Sequence, residues 1–407
     1  MSRSTHNPWL HRFAVFTAIC TLLLIALGGL VTSHEAGMAV PDWPTTYGYN
    51  MFLFPVSQWV GGIFYEHTHR LWASEVGLLT LTLMCLLFGR GARWILRGLG
   101  LILIASGLFA LWHKQSWIAG AFYGANGAFM FGISFGITHL ETSPKWLRRL
   151  GSIAFFLVVL QGILGGLRVT QMKDEIGIFH ATLAQIFLVL ICAIALFTSR
   201  WWQSFANSDE ALLPNCNLRR FATATTFLIL FQLVLGATMR HQHAGLAIPD
   251  FPLAYGKIWP ATDAASIQAI NQNRFIETAK PITQFHIVVH MLHRLSAFVI
   301  LGCIGFLAFK LRRTPGAQAP LARLALIWLG MICAQFILGI VTVLKNKPAD
   351  IATAHVVLGA GSLMMGAMIS LIANKISVER ENRLRHVSPA SSVQSASDSE
   401  ARLAVHK

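Results

Sequence analysis

Four histidines stand where apolar stretches of this chain begin: His69, His180, His293 and His355. Two are followed directly by arginine, as His69-Arg70 and His293-Arg294. One has an acid a helical turn earlier, in Glu66-His67-Thr68-His69-Arg70. Ionisable groups in membrane spans are costly and are read first as functional. Two imidazoles at one depth on neighbouring helices suit the two axial faces of a heme iron. The arginines suit heme carboxylates by bidentate pairing, or else snorkel to lipid headgroups. Glu66 shares a helical face with His69, where a carboxylate can act as general base or stabilise positive charge. A plainer alternative is that it complements a helix N-terminus.

These residues sit in a duplicated frame. Gly37-Met38-Ala39-Val40-Pro41-Asp42-Trp43-Pro44 recurs as Gly245-Leu246-Ala247-Ile248-Pro249-Asp250-Phe251-Pro252, and each copy closes on Tyr-Gly. Each copy is followed by a His-Arg pair. Gln161-Gly162-Ile163-Leu164-Gly165 parallels Gln335-Phe336-Ile337-Leu338-Gly339, and His180 parallels His355. In this comparison His290 takes the place of Glu66, so only the first copy has a carboxylate beside its histidines. Glu75 has no counterpart, its matching place being Val299.

The frame is a membrane one. Of the 407 residues 55% are hydrophobic and 12% charged, with mean hydropathy +0.57. A span needs roughly 20 apolar residues, and ten such runs are read: 13–32, 71–88, 95–112, 117–137, 150–167, 178–197, 221–239, 285–309, 321–344 and 351–373. The first is too long for a cleavable signal. Net charge is +15, but the basic residues fall in alternate gaps: Arg90, Arg93 and Arg97; Lys145, Arg148 and Arg149; Arg200, Arg219 and Arg220; Lys310, Arg312, Arg313 and Arg323. That alternation points to orientation with cytoplasmic termini rather than to nucleic acid. None of the six cysteines falls in an external loop, so no structural disulfide is expected. No Cys-x-x-Cys-His is present for covalent heme attachment.

The expected fold is an all-α integral membrane protein with two pseudo-symmetric four-helix bundles repeated in parallel and an inserted pair of spans. Residues 13–199 form the first bundle, with the inserted pair at 95–137. A cytoplasmic linker covers 200–218 and the second bundle 219–374. A disordered tail covers 375–407. The long loops 33–65 and 240–284 fold back over the outer membrane surface.

Other readings of the histidines stay open at this point. A lone imidazole at a helix end is often interfacial. His286, His290 and His293 share a helical face as a zinc set would, though without Cys or carboxylate. A transmembrane heme wire would need a second histidine per helix, roughly 13 residues deeper at 1.5 Å rise, and no helix has one. A transporter would favour inverted repeats and broken spans.

Taken together, Glu-x-x-His-Arg at 66–70, His293-Arg294, His180, His355, Leu164-Gly165-Gly166-Leu167-Arg168 and the duplicated Gly-x-x-x-Pro-Asp-aromatic-Pro loops resemble the heme A synthase family. The resemblance runs from about residue 13 to 373, apart from the inserted spans. It implies oxidation of the C8 methyl of heme O to a formyl group by successive hydroxylations and loss of water. It also implies a substrate heme on His69 and His180 with Glu66 as the catalytic acid, and a heme b cofactor on His293 and His355. Arg70, Arg294 and Arg168 are then candidates for heme carboxylates. The implied location is a bacterial inner membrane. Implied partners are heme O synthase and a quinone or other membrane electron acceptor, and a homo-oligomer is compatible. The alternative is a non-catalytic di-heme electron carrier or quinol-linked cytochrome. Two departures stand out: no Cys pair in the first loop, as some members have, and the inserted spans.

Overall fold

Hydrocarbon offers no partner to a free backbone N–H or C=O, so apolar stretches in it close their own hydrogen bonds as helices. The computed structural model describes residues 7–113, 116–137, 142–204, 216–273, 281–313 and 319–387. Its helices are α1 (Pro8–Ser33), α2 (Gly61–Phe88), α3 (Arg93–Trp112), α4 (Trp117–Gly136), α5 (Lys145–Gln171) and α6 (Asp174–Thr198). These are followed by α7 (Arg200–Ser204), α8 (Cys216–His241), α9 (Ala264–Gln272), α10 (Gln284–Arg313), α11 (Ala319–Leu344) and α12 (Ala349–Val387). Local signals set the ends. The Asn7 side chain accepts from the N–H groups of Trp9 and Leu10, with Pro8 opening the helix. Gly89 closes α2 with a φ of 63°.

Nine stretches among the described residues are long and apolar enough to cross a membrane, against the ten runs read in the sequence. The difference lies in Gly61–Trp112, a continuous 52-residue stretch that the tight turn Gly89–Ala92 breaks into α2 and α3. The protein is an all-helical, multi-pass integral membrane protein. Its last helix runs on to Val387, past the tail boundary expected at 375. The expected linker begins instead as the short helix α7. Residues 205–215 of that linker and 388–407 of the expected tail lie outside the described residues.

Helices α1, α2, α5 and α6 pack in a closed ring, and α8, α10, α11 and α12 in another; α1 and α6 of the first ring meet α8 and α12 of the second. The first core gathers Val76, Leu79, Leu83 and Leu87 with Ile191 and Ile194. The second surrounds Trp328, whose Nε1 donates to Ser362 Oγ at 2.9 Å. Ile25, Leu188 and Ala360 seal the seam between the rings.

Helices α3 and α4 form a tight hairpin outside the first ring. A Cβ on Gly127 would stand 2.6 Å from the backbone nitrogen of Ile104. Small residues at such crossings let helix backbones approach where no hydrophobic effect drives them together. The hairpin is pinned by Asn126 Nδ2, which donates to Glu75 Oε2 at 2.8 Å. Phe129 stacks on Phe13 of α1, and Phe122 on Phe52 of the first loop. Glu75 is thus a docking group of the hairpin. Replacing Gly127 with Leu should force α3 from α4 and cost about 1–3 kcal/mol, lowering the midpoint of thermal unfolding in detergent. Gly132→Leu, where an added Cβ meets nothing within 4 Å, should leave that midpoint in place; equal effects would contradict the packing argument.

Candidate functional site

The two long loops are built alike. Asp42 accepts from the backbone N–H of Tyr47 at 2.7 Å and of Gly48 at 2.9 Å, and from the Thr45 hydroxyl. Asp250 accepts from Tyr255 at 2.8 Å and Gly256 at 3.0 Å. The turn needs left-handed backbone at Tyr47 and Gly48, with φ of 49° and 77°, and again at Tyr255 and Gly256, with 52° and 73°. The tyrosine hydroxyls donate back to Ala39 O and Ala247 O. Partial desolvation opposes charge on both aspartates, but these hydrogen bonds outweigh it and hold their carboxyls below the ordinary range.

Arginine fastens each loop to its helix. Arg70 Nη1 donates to Asp42 O at 2.7 Å and Thr45 O at 3.1 Å, and Nη2 to Val40 O at 2.8 Å. Arg294 does the same with Leu253 O, Ile248 O and Asp250 O at 3.0, 3.2 and 2.7 Å. Arg70 and Arg294, expected from sequence to take heme carboxylates, therefore direct these donors at the loops, because three carbonyls of one loop lie within reach of each guanidinium. In the first copy Arg70 Nε also donates to Glu66 Oε1 at 3.0 Å, a buried ion pair. Glu66 is 5% exposed and His290, in its place by the second histidine pair, 2%.

Beneath the loops lies a cavity of about 830 Å³ whose lining includes Glu66, His69, Arg70, Arg168, His180, His293, Arg294 and His355. All the sequence-nominated residues meet there. Each histidine ring rests on a glycine of the preceding long helix. A Cβ on Gly28, Gly165, Gly236 or Gly339 would stand 3.1, 3.4, 3.3 or 3.1 Å from Cε1 of His69, His180, His293 or His355 respectively. Gln161 Nε2 donates to His180 O at 3.1 Å, and Gln232 Nε2 to His293 O at 2.9 Å. On α1 the corresponding place is Leu24. Nδ1 of each of the four rings is buried, and at His180, His293 and His355 a backbone group of Gln161, Gln232 or Gln335 lies beside the ring.

The rings of His293 and His355 face each other with centroids 6.5 Å apart. Two metal–nitrogen bonds of about 2.0 Å each, plus the depth of two half-rings, need roughly that gap. His67 is turned away from the cavity, its Nδ1 3.3 Å from Thr46 Oγ1 and its ring against Phe54 and Trp59. His286 lies in the cap of α10, accepting from Thr283 N at 3.4 Å. Among the described residues no three His, Cys, Asp or Glu groups converge on a metal-sized point, so the zinc set is not assembled.

Several lining residues escaped sequence reasoning. Trp43 lies over Gly166, where any side chain would strike its indole. Leu103, Phe122 and Tyr123 bring the α3/α4 hairpin into the cavity wall, and Arg240 and His241 at the end of α8 line it from the seam. One signal was present: the Gln-x-x-x-Gly spacing of Gln161/Gly165 and Gln335/Gly339 also occurs at Gln232/Gly236.

A family model described as a cytochrome oxidase assembly protein matches residues 11–368. The chain is similar to a protein named Heme A synthase from Shewanella oneidensis, 22% identical over 372 residues, 89% of this chain and 94% of that one. One of the same name from Hyphomonas neptunium is 24% identical over 368 residues, 86% of this chain and 89% of that one. A third, from Allorhizobium ampelinum, is 29% identical over 184 residues, 44% of this chain and 47% of that one.

The loop turn should be sensitive to acid. A lowered folded-state pKa contributes stability that is complete above the unfolded value of about 3.9 and is lost as pH falls through the folded value. Protection of the Tyr47 and Gly48 amides against hydrogen exchange should hold at neutral pH and fall below about pH 4, and Asp42→Asn should weaken it at all pH values. Protection unchanged down to about pH 2 would show that the carboxylate does not hold the turn.

Proposed function

The chain belongs to the COX15-CtaA family of cytochrome oxidase assembly proteins, and from that premise we propose that it is a membrane oxidoreductase that converts heme O to heme A in the bacterial inner membrane. Relatives named Heme A synthase that align over most of both chains support the reaction. The assignment of roles rests on one observation above all. Both histidine pairs line the cavity, but among the described residues only the first has a carboxylate, Glu66, at its side.

In this reading His69 and His180 hold the substrate, heme O, and Glu66 is the catalytic acid–base as the C8 methyl is hydroxylated successively and loses water to become a formyl group. Arg70 Nε keeps Glu66 oriented, and a positioned carboxylate can take a proton or stabilise positive charge at the reacting carbon. The loops and Trp43 cover the cavity and limit access of water. His293 and His355 hold the resident cofactor, heme b. The 6.5 Å separation of their rings fits a bis-imidazole site. Heme b bound there supplies one-electron transfer. The parallel loop locks and the four glycine–histidine contacts support two repeats facing the same way, 13–199 and 219–374. The distribution of Lys and Arg supports cytoplasmic termini. Heme O synthase as supplier, a quinone as electron acceptor and assembly into a homo-oligomer complete the reading.

Glu66→Gln keeps the shape of the side chain and a hydrogen-bond acceptor for Arg70. It should reduce heme A formation by about 10²–10⁴-fold while the visible spectrum retains both bis-histidine signals. Reverse-phase chromatography of hemes extracted from cells that also make heme O measures this. Heme A at the wild-type level in the variant would remove Glu66 from the chemistry.

A further inference from the structure

Once the loops and the iron ligands are accounted for, a basic cluster remains in the cavity. It is built around Arg168, the one arginine of the three nominated from sequence that, among the described residues, does not fasten a loop through its carbonyls. Arg168 near the end of α5 is half-buried and within electrostatic range of Glu66 and Asp174, while the ion pair of Glu66 itself is made with Arg70. A Cβ on Gly177 would stand 2.9 Å from Arg168 Nε and 2.6 Å from His241 Nδ1, so guanidinium and imidazole converge over that glycine of α6. His241 is 7% exposed, and its Nδ1 is buried with no hydrogen-bond partner among the described residues. Arg240, beside it, donates through Nη2 to Gly29 O and Ser33 Oγ of α1, which ties the end of α8 to the helix that backs His69.

Arg168 and His241 lie by the first histidine pair, whereas Arg240 is also within electrostatic range of His355. Aligning the helices on their histidine-backing glycines sets Thr342 where Arg168 stands, and Thr32 and Ser33 where Arg240 and His241 stand. Aligning on the histidines sets Ala352 against Gly177, so the second pair lacks the close approach as well.

Two guanidinium groups drawn partly out of water are costly unless anions complete them. Charge-assisted hydrogen bonds to carboxylates are the strong way to do so. A heme carries two carboxylates on one edge of its ring. Two axial imidazoles fix the plane and position of that ring but leave it free to turn about the nitrogen–iron–nitrogen axis. An anchored carboxylate edge removes that freedom and determines which methyl group faces Glu66.

We propose that Arg168, Arg240 and His241 form the seat for the carboxylate edge of the substrate heme, so that α8 of the second ring completes the substrate pocket of the first and selects the methyl that reacts. The inference rests on the reading that His69 and His180 hold the substrate. Arg168 and His241 contact the substrate directly, whereas Arg240 also fastens the seam.

The test compares heme O with its dimethyl ester, in which both carboxylates are capped, as ligands of the purified full chain carrying its resident cofactor. Wild type should bind the free acid at least about tenfold more tightly than the ester. Arg168→Gln and His241→Leu should each reduce that preference several-fold and together abolish it, with affinity for the ester unchanged. Arg168→Lys should restore part of it. Unchanged ester affinity and an unaltered resident-cofactor spectrum show that the variants are folded. Equal binding of acid and ester by wild type would overturn the seat, as would variants that weaken both ligands alike. If heme O binding needs His69 and His180 but the preference survives in the double variant, the seat alone fails. If heme O binds undiminished after both histidines are changed to alanine, the pocket assignment fails and the seat with it.

Discussion

An imidazole ring laid against a bare glycine backbone occurs four times in this protein and sets the separation of its helices. His69 on Gly28, His180 on Gly165, His293 on Gly236 and His355 on Gly339 each join a helix to the one that precedes it in its ring. At 3.1–3.4 Å from Cε1 to the place a Cβ would occupy, a side chain on the glycine could be accommodated only by moving the ring or the helix. The contact holds each imidazole in one orientation on the lining of a shared cavity. Gln161 and Gln232, one turn before the glycines, grip the backbone carbonyls of His180 and His293. They add a second point of attachment to the same pair of helices. A ligand site assembled from four helices depends on this precision, since displacement by an ångström at a reacting centre is costly in rate.

The loops depend on that frame in turn. Arg70 and Arg294 follow the histidines His69 and His293 in sequence, so placing each ring also places the guanidinium that gathers the loop carbonyls. The two copies then diverge at one residue. In the first, Arg70 also binds Glu66 and places a carboxylate beside the histidine pair. In the second, His290 stands there and the arginine holds only its loop. A buried carboxylate is tolerated because Arg70 pairs with it, and its orientation becomes a property of the loop lock. The proposed division between a reacting pair and a cofactor-holding pair rests on that one difference.

The α3/α4 hairpin has no counterpart in the second ring, yet it is not a passive addition. Its glycines bring the two helices into backbone contact, Asn126 meets Glu75, and Leu103, Phe122 and Tyr123 reach the cavity wall. The shape of the first pocket therefore differs from that of the second on the lipid side as well as at Glu66.

Much of this was legible in the residues themselves. Apolar length determined that the helices form, because hydrocarbon leaves the backbone no other way to satisfy its hydrogen bonds. The duplicated Pro-Asp-aromatic-Pro element and the His-Arg pairs marked the iron-ligand candidates and singled out Glu66, since a repeat makes every departure visible. The role of Arg70 and Arg294 was not legible, because neighbours in sequence do not reveal which carbonyls a folded loop brings within 3 Å. Nor was the convergence of Arg168 with His241 over Gly177, groups that lie on helices of different rings. Residue type and spacing determine what one helix presents along its own face. Which faces meet across the seam depends on distances between helices, and those were decided only when glycine let the helices close.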